Sequence, residues 1–233
     1  MRPYQAHLFS MDGLPLIQAE FGHSLYRQMN DPALMLAHGL IRALALRHHE
    51  TEQHCERVAA WSKKLAQALH LSAYEINHVE LGALLHDVGK IGIRDAVLLK
   101  PGPLDAQEWE EMKKHPELGA ELLSRMPLLS GAISIVQNHH ERLLGDGYPR
   151  GLKKEQIPIE ARIFQLVDAY DAITHDRPYR QAQSDAHARE EIKRYVNLQF
   201  DPTVFEAFMN IDAQEWQALE HVNKCVVDKI LQA

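Results

Sequence analysis

Cysteine is nearly absent from this chain: two of 233 residues, Cys55 and Cys225. They form no Cys-x-x-Cys pattern, which argues against a thiolate zinc site. Such sparse use fits a reducing, cytoplasmic setting, although the two could pair. Long apolar runs are missing as well. None reaches the ~18 residues of a membrane-spanning helix. The N-terminus lacks the basic stretch and apolar core of a secretory signal. Positive charge is in deficit, with 25 Lys and Arg against 32 Asp and Glu, a net charge of −7 and a pI near 6.1. That balance excludes a broad surface for long nucleic acid or an anionic membrane. An anionic ligand would have to be held by metals or a few local cations. Alternating strand patterns, internal repeats and low-complexity tracts are also absent.

Helical signals fill the remaining space, and the expectation is an all-α fold. Hydrophobic residues at 45% and charged residues at 24% describe an ordinary globular domain. Residues 1–30 carry mixed signals, interrupted by Gly13, Pro15 and Gly22. Asp31-Pro32 is an N-cap followed by proline at the first helical position, opening a helix to about Arg47. A second helix is expected over 49–70. Ser72 with Glu75 forms a capping box for a third, which should run to about Val88 and stop at Gly89. Two glycines and two prolines make 90–104 read as a loop. Asp105 with Glu108 resembles another cap, and Pro116 opens the next helix. A further helix ends near His140, before the turn-rich Gly145–Gly151. Helices are expected at 159–175, 184–197, 202–210 and 213–231. In the last, Trp216, Leu219, Val222, Val226 and Ile230 recur at helical spacing and suit packing against the domain or a partner chain.

Fifteen histidines are many for this length, and their placement matters more than their number. His86-Asp87 falls at the end of the third helix. Adjacent helical side chains point about 100° apart, so both reach one ion only where the helix ends or the ion lies beside it. Alone, such a pair is an ordinary polar helix end. Glu50 and His54 are four apart and share a helix face, which alone reads as a solvated stripe. His115 precedes Pro116 at a helix junction. His139-His140 precede a glycine-rich loop. Asp168 lies on an apolar helix, where a carboxylate needs a salt bridge or a metal. Imidazole with carboxylate suits Fe, Mn or Zn.

The ordered set resembles the HD-GYP family, a branch of the HD phosphohydrolase superfamily. The matching stretches are His54-Cys-Glu-Arg-Val58, Leu85-His-Asp-Val-Gly-Lys-Ile-Gly-Ile93, Lys100-Pro-Gly-Pro-Leu104 and Met112-Lys-Lys-His115. They continue with His139-His-Glu-Arg142, Gly147-Tyr-Pro149, Ile157-Pro-Ile159, Val167-Asp-Ala-Tyr-Asp-Ala-Ile-Thr174, Asp176-Arg-Pro-Tyr-Arg180 and Phe200-Asp-Pro202. The resemblance covers about residues 48–208. It implies an HD-domain helical bundle with the HD-GYP extension as a catalytic domain over 48–210. Residues 1–47 would be an N-terminal segment for packing or regulation, and 211–233 a C-terminal helix.

The resemblance also implies roles. His54, His86, Asp87, His115, His139, His140 and Asp168 fall on metal-ligand positions, with Asp87 as the bridge. Glu50 falls where some members hold a third metal. The implied cofactors are two or three divalent ions, Fe or Mn. Lys90, Arg177 and Arg180 fall on phosphate-contacting positions, Gly147, Tyr148 and Pro149 on the substrate loop, and Asp87 and Lys90 on the catalytic pair. The implied activity is a bacterial phosphodiesterase cutting cyclic di-GMP to linear pGpG and onward to GMP. Cyclic GMP-AMP is the alternative substrate, and a non-catalytic cyclic dinucleotide sensor or an HD hydrolase of another phosphate ester the alternative class. A homodimer or a signalling protein would be the partner. One departure stands out: Leu143-Leu144-Gly145 replaces the family's tryptophan-aspartate-glycine run, with Asp146 nearby as a partial substitute.

Overall fold

The computed structural model describes residues 31–47, 52–176, 180–216 and 218–219. It is built of helices: α1 Pro32–Ala45, α2 Glu52–Ala68, α3 Ala73–Leu85, α4 Asp95–Leu98, α5 Ala106–Met112, α6 His115–Ser124, α7 Ile133–Asn138, α8 Ile159–Thr174, α9 Asp185–Arg194 and α10 Pro202–Met209. Among the described residues there is no strand, only an isolated bridge between Val196 and Phe200. No described helix is long and apolar enough to cross a membrane.

The caps act as the sequence implies. Asp31 accepts from the amides of Ala33 and Leu34 with Pro32 at the first position, and capping boxes form at Ser72–Glu75 and Asp105–Glu108. Three expectations fail. The third helix stops at Leu85 rather than running to Val88, and a tight 3-10 turn, Val88–Gly92, replaces its last residues. The cause is at Gly89. A Cβ there would lie 1.9 Å from the His115 carbonyl oxygen and 2.5 Å from the Gly119 nitrogen, so the α6 backbone presses directly on the turn. The stretch 90–104 is also not wholly loop, since α4 forms within it. The Arg47 guanidinium reaches from beyond α1 to the Ile91 and Ile93 carbonyls and the Asp95 carboxylate, tying this segment down. The helix expected over 184–197 ends at Arg194, and Asn197 takes a left-handed φ of 65°.

The core lies where α2, α3 and α8 meet, with α7 and α10 against them. Trp61, Leu65, Leu85, Ile135, Phe164 and Phe208 are buried there. Each such side chain contributes about 1.5–3 kcal/mol of transfer free energy. Trp216 joins them edge-on to Trp61, 5.6 Å between ring centroids, and Leu219 packs on the same cluster. That agrees with the packing role read for the last helix; Val222, Val226 and Ile230 lie outside the described residues. So do Cys225, most of the 1–47 segment, Glu50 and Arg177.

Candidate metal centre

Three histidines are presented by one local device. His86 caps the end of α3, His139 caps the end of α7, and His115 follows the end of α5. Each Nδ1 bonds the carbonyl three residues back: Ala83 at 2.9 Å, Val136 at 2.9 Å and Met112 at 2.8 Å. Those carbonyls belong to last helical turns and have no helical donor of their own. A carbonyl only accepts, so Nδ1 must carry the proton and Nε2 keeps its lone pair.

All three Nε2 atoms face Asp87. His86 Nε2 lies 3.2 Å from Asp87 Oδ2, while His115 and His139 lie 3.2 and 3.7 Å from Oδ1. The carboxylate therefore has a different imidazole environment on each oxygen. His115 Nε2 and His139 Nε2 are 3.1 Å apart. With both Nδ1 atoms donating, these are two lone pairs aimed at each other, an arrangement that a cation between them relieves. His140 completes the group: ligand-type atoms of Asp87, His115, His139 and His140 all lie within 4.8 Å of one another.

On the other side, His54 Nε2 approaches Asp168 Oδ1 at 3.6 Å, and its ring centroid is 5.3 Å from that of His86. His54 is held by Asp171, whose Oδ2 accepts from Nδ1 at 2.7 Å. Asp171 also accepts from Arg57 Nε at 2.7 Å and is only 2% exposed. Sequence reasoning passed over Asp171 and Arg57. The available signal was spacing: Asp171 is three residues after Asp168 on α8, and Arg57 three after His54 on α2, which places each pair on one face.

The charges agree with a site for cations. Burial opposes ionisation of Asp87, but Lys90, at 2.8 Å, and then His86 hold its carboxyl well below the usual range. Burial lowers His139 to about 4, and burial with the neighbouring imidazoles holds His140 well below its ordinary value. Both rings are thus neutral ligands at pH 7. His86 is also buried, yet the Asp87 carboxylate raises it. Asp171 is buried too, and its bonds to His54 and Arg57 keep it ionised.

Beside this group opens a cavity of about 480 Å³, lined by His139, His140, Asp168, Tyr148, Arg142, Asp146, Gln165, Gln199, Trp109 and Lys113. Its floor is the turn that carries Gly147, Tyr148 and Pro149. A Cβ on Gly147 would come within 2.5 Å of the Arg142 nitrogen and the His140 oxygen, so only glycine lets the turn fold this tightly against the histidine pair. Glu141, 1% exposed, accepts from the Arg150 and Leu152 amides at 2.7 and 2.8 Å and clamps the turn from below. Tyr148 stacks on His140, 4.6 Å between centroids. Leu144 is exposed, and Asp146 pairs with Arg142 at 3.2 Å. Arg180 is exposed. The structure thus brings together His54, His86, Asp87, His115, His139, His140 and Asp168, with Lys90 against Asp87.

The chain matches the HD domain family over residues 39–204. It is 40% identical to a cyclic di-GMP phosphodiesterase of Thermotoga maritima over 170 residues, 72% of this chain and 46% of that protein. It is 37% identical to a 3'3'-cGAMP-specific phosphodiesterase of Vibrio cholerae over 188 residues, 80% of this chain and 36% of that protein. The chain spans less than half the length of these relatives. In fold it is similar to a cyclic GMP-AMP-specific phosphodiesterase of V. cholerae, with a TM-score of 0.60 at 19% identity over 75% of this chain and 48% of that one. The motifs, their convergence on Asp87 and these matches agree: the chain belongs to the HD domain family, in its HD-GYP branch.

Proposed function

We propose that the chain is a metal-dependent phosphodiesterase that opens cyclic di-GMP to linear pGpG, with GMP as the product of a second cut. The observation that carries this reading is Asp87, with His86 on one carboxylate oxygen and His115 and His139 on the other. Such a carboxylate can bridge two ions. His54, His86, Asp87 and Asp168 would hold one, and Asp87, His115, His139 and His140 the other. Glu50 would serve a third. The imidazole and carboxylate donors suit Fe or Mn.

Bound divalent ions would supply Lewis-acid charge and a hydroxide nucleophile near neutral pH. The protein's own part is to orient and to balance charge. The helix-end carbonyls fix the imidazole tautomers, and Asp171 orients His54. Lys90, now on Asp87, would neutralise charge building on the phosphoryl oxygens, with Arg177 and Arg180 adding bidentate phosphate contacts. Gly147, Tyr148 and Pro149 would form the wall along which the dinucleotide lies. Histidines lowered by burial keep their lone pairs for metal rather than for protons. A homodimer or a signalling protein would be the partner, and the setting would be cytoplasmic.

A second substrate is 3',3'-cyclic GMP-AMP. Relatives named for that substrate match this chain at 32–37% identity, close to those named for cyclic di-GMP. Both readings are tested together. Protein purified without oxygen is analysed for metal, then assayed with Mn²⁺ or Fe²⁺ against cyclic di-GMP, 3',3'-cyclic GMP-AMP and cyclic di-AMP. About two ions per chain and turnover of the guanine-containing substrates are expected. Turnover of none, with metal bound, would leave a sensor instead.

A further inference from the structure

The chain has three tryptophans, and two of them are core residues: Trp61 is 2% exposed and Trp216 1%. Trp109 is 46% exposed. It belongs to none of the apolar clusters, and its helix α5 buries none of its residues. Packing therefore does not account for the largest apolar side chain in this region. Single exposed apolar residues need no special account, but this one lines the same cavity as His139, His140 and Asp168.

Its setting is an aromatic ladder leading away from the metal-ligand cluster. Tyr148 stacks on His140, and Trp109 stands edge-on to Tyr148 at 6.2 Å and 75° between planes. The cavity volume of about 480 Å³ falls within the range of small-molecule sites, roughly 300–1,000 Å³. α5 is fixed from outside the core. It has the Asp105–Glu108 capping box, an ion pair from Lys100 to Glu108 and another from Arg94 to Glu111. Trp109 is thus held in place without being covered.

We propose that Trp109 is a stacking platform for a purine base of the bound dinucleotide. This deepens the phosphodiesterase reading and rests on it for the identity of the ligand. One phosphodiester lies at the ligand cluster, and the base beyond it reaches the cavity rim at Trp109. Stacking recognises the face of a base rather than its edge, so the platform serves guanine and adenine alike. Lys113, one turn on and also lining the cavity, adds positive charge beside it, shared with Glu110 at 2.6 Å.

The test uses the manganese-loaded protein. Trp109→Ala should raise KM for cyclic di-GMP about tenfold, the scale of one lost base–aromatic stack. Metal content and turnover of methyl p-nitrophenyl phosphate, a diester with no nucleobase, should not change. Trp109→Phe should restore most of the affinity. An unchanged KM in Trp109→Ala, or an equal loss on both substrates, would overturn the proposal. A second readout is independent of turnover. A bis-phosphorothioate analogue of cyclic di-GMP should shield tryptophan emission from acrylamide in the wild type and not in Trp109→Phe. Shielding without hydrolysis of any cyclic dinucleotide would keep the platform and overturn the phosphodiesterase reading. No shielding would overturn the platform, whatever the turnover.

Discussion

Asp171→Asn separates orientation of the site from ligation. Asp171 touches His54 Nδ1 at 2.7 Å and Arg57 Nε at 2.7 Å, and His175 Nδ1 lies 3.1 Å away. Asparagine keeps the shape but has one acceptor oxygen, so its amide must turn a donor toward either His54 or Arg57. The Arg57 guanidinium, mostly buried, then lacks its counter-charge. Breaking a buried pair from one side costs about 3–5 kcal/mol. The retained oxygen places this variant near the lower end, about 3 kcal/mol. At about 2–4 °C per kcal/mol for a domain of this size, the melting temperature should fall by on the order of 10 °C. His54 would also lose the partner that fixes its tautomer, and metal affinity should drop by about 10- to 100-fold. Urea unfolding with and without Mn²⁺, and competitive metal titration, read the two effects separately. A variant that is destabilised yet binds metal with wild-type affinity would refute the role given to Asp171 in positioning His54.

Asp87→Ala should remove hydrolysis and lower the metal content of both sites while the helical spectrum stays intact, because the apolar core does not involve Asp87; full turnover in this variant would refute the bridge. In the metal-free protein His139 should contribute stability that grows as pH rises from about 4 to about 6.5, while Glu56, raised by burial to about 8, contributes in the opposite sense. Burial lowers His139 to about 4 in the folded chain, against about 6.5 in the unfolded one, so at this residue the unfolded chain holds more protons throughout that window. The effect is on the order of 3 kcal/mol at full extent. His86 works in the opposite sense above pH 6.5, where its raised value makes the folded state the better proton binder. Urea unfolding in EDTA of the wild type and His139→Asn isolates the contribution, and identical pH profiles of the two proteins across pH 4–6.5 would contradict the burial of His139.

Much of this protein is legible in its amino-acid order. Asp31-Pro32, Ser72 with Glu75 and Asp105 with Glu108 announce helix starts, because capping is a matter of a few neighbouring atoms. His54, His86-Asp87, His115, His139-His140 and Asp168 stand out by order and spacing, since the chemistry of a site is written in residue type. Sequence does not decide where a helix yields to a longer-range contact. The third helix stops at Leu85 because the α6 backbone occupies the space beside Gly89. Nor does it decide which carboxylate faces the histidine cluster and which stands behind: Asp168 and Asp171 share a face of α8, and only the position of Arg57 on α2 makes Asp171 the inner support. Trp109 is the plainest case. In sequence it is one more large apolar residue on a short helix, and only packing leaves it uncovered beside the cavity, because among the described residues no element folds over Trp109 to bury it.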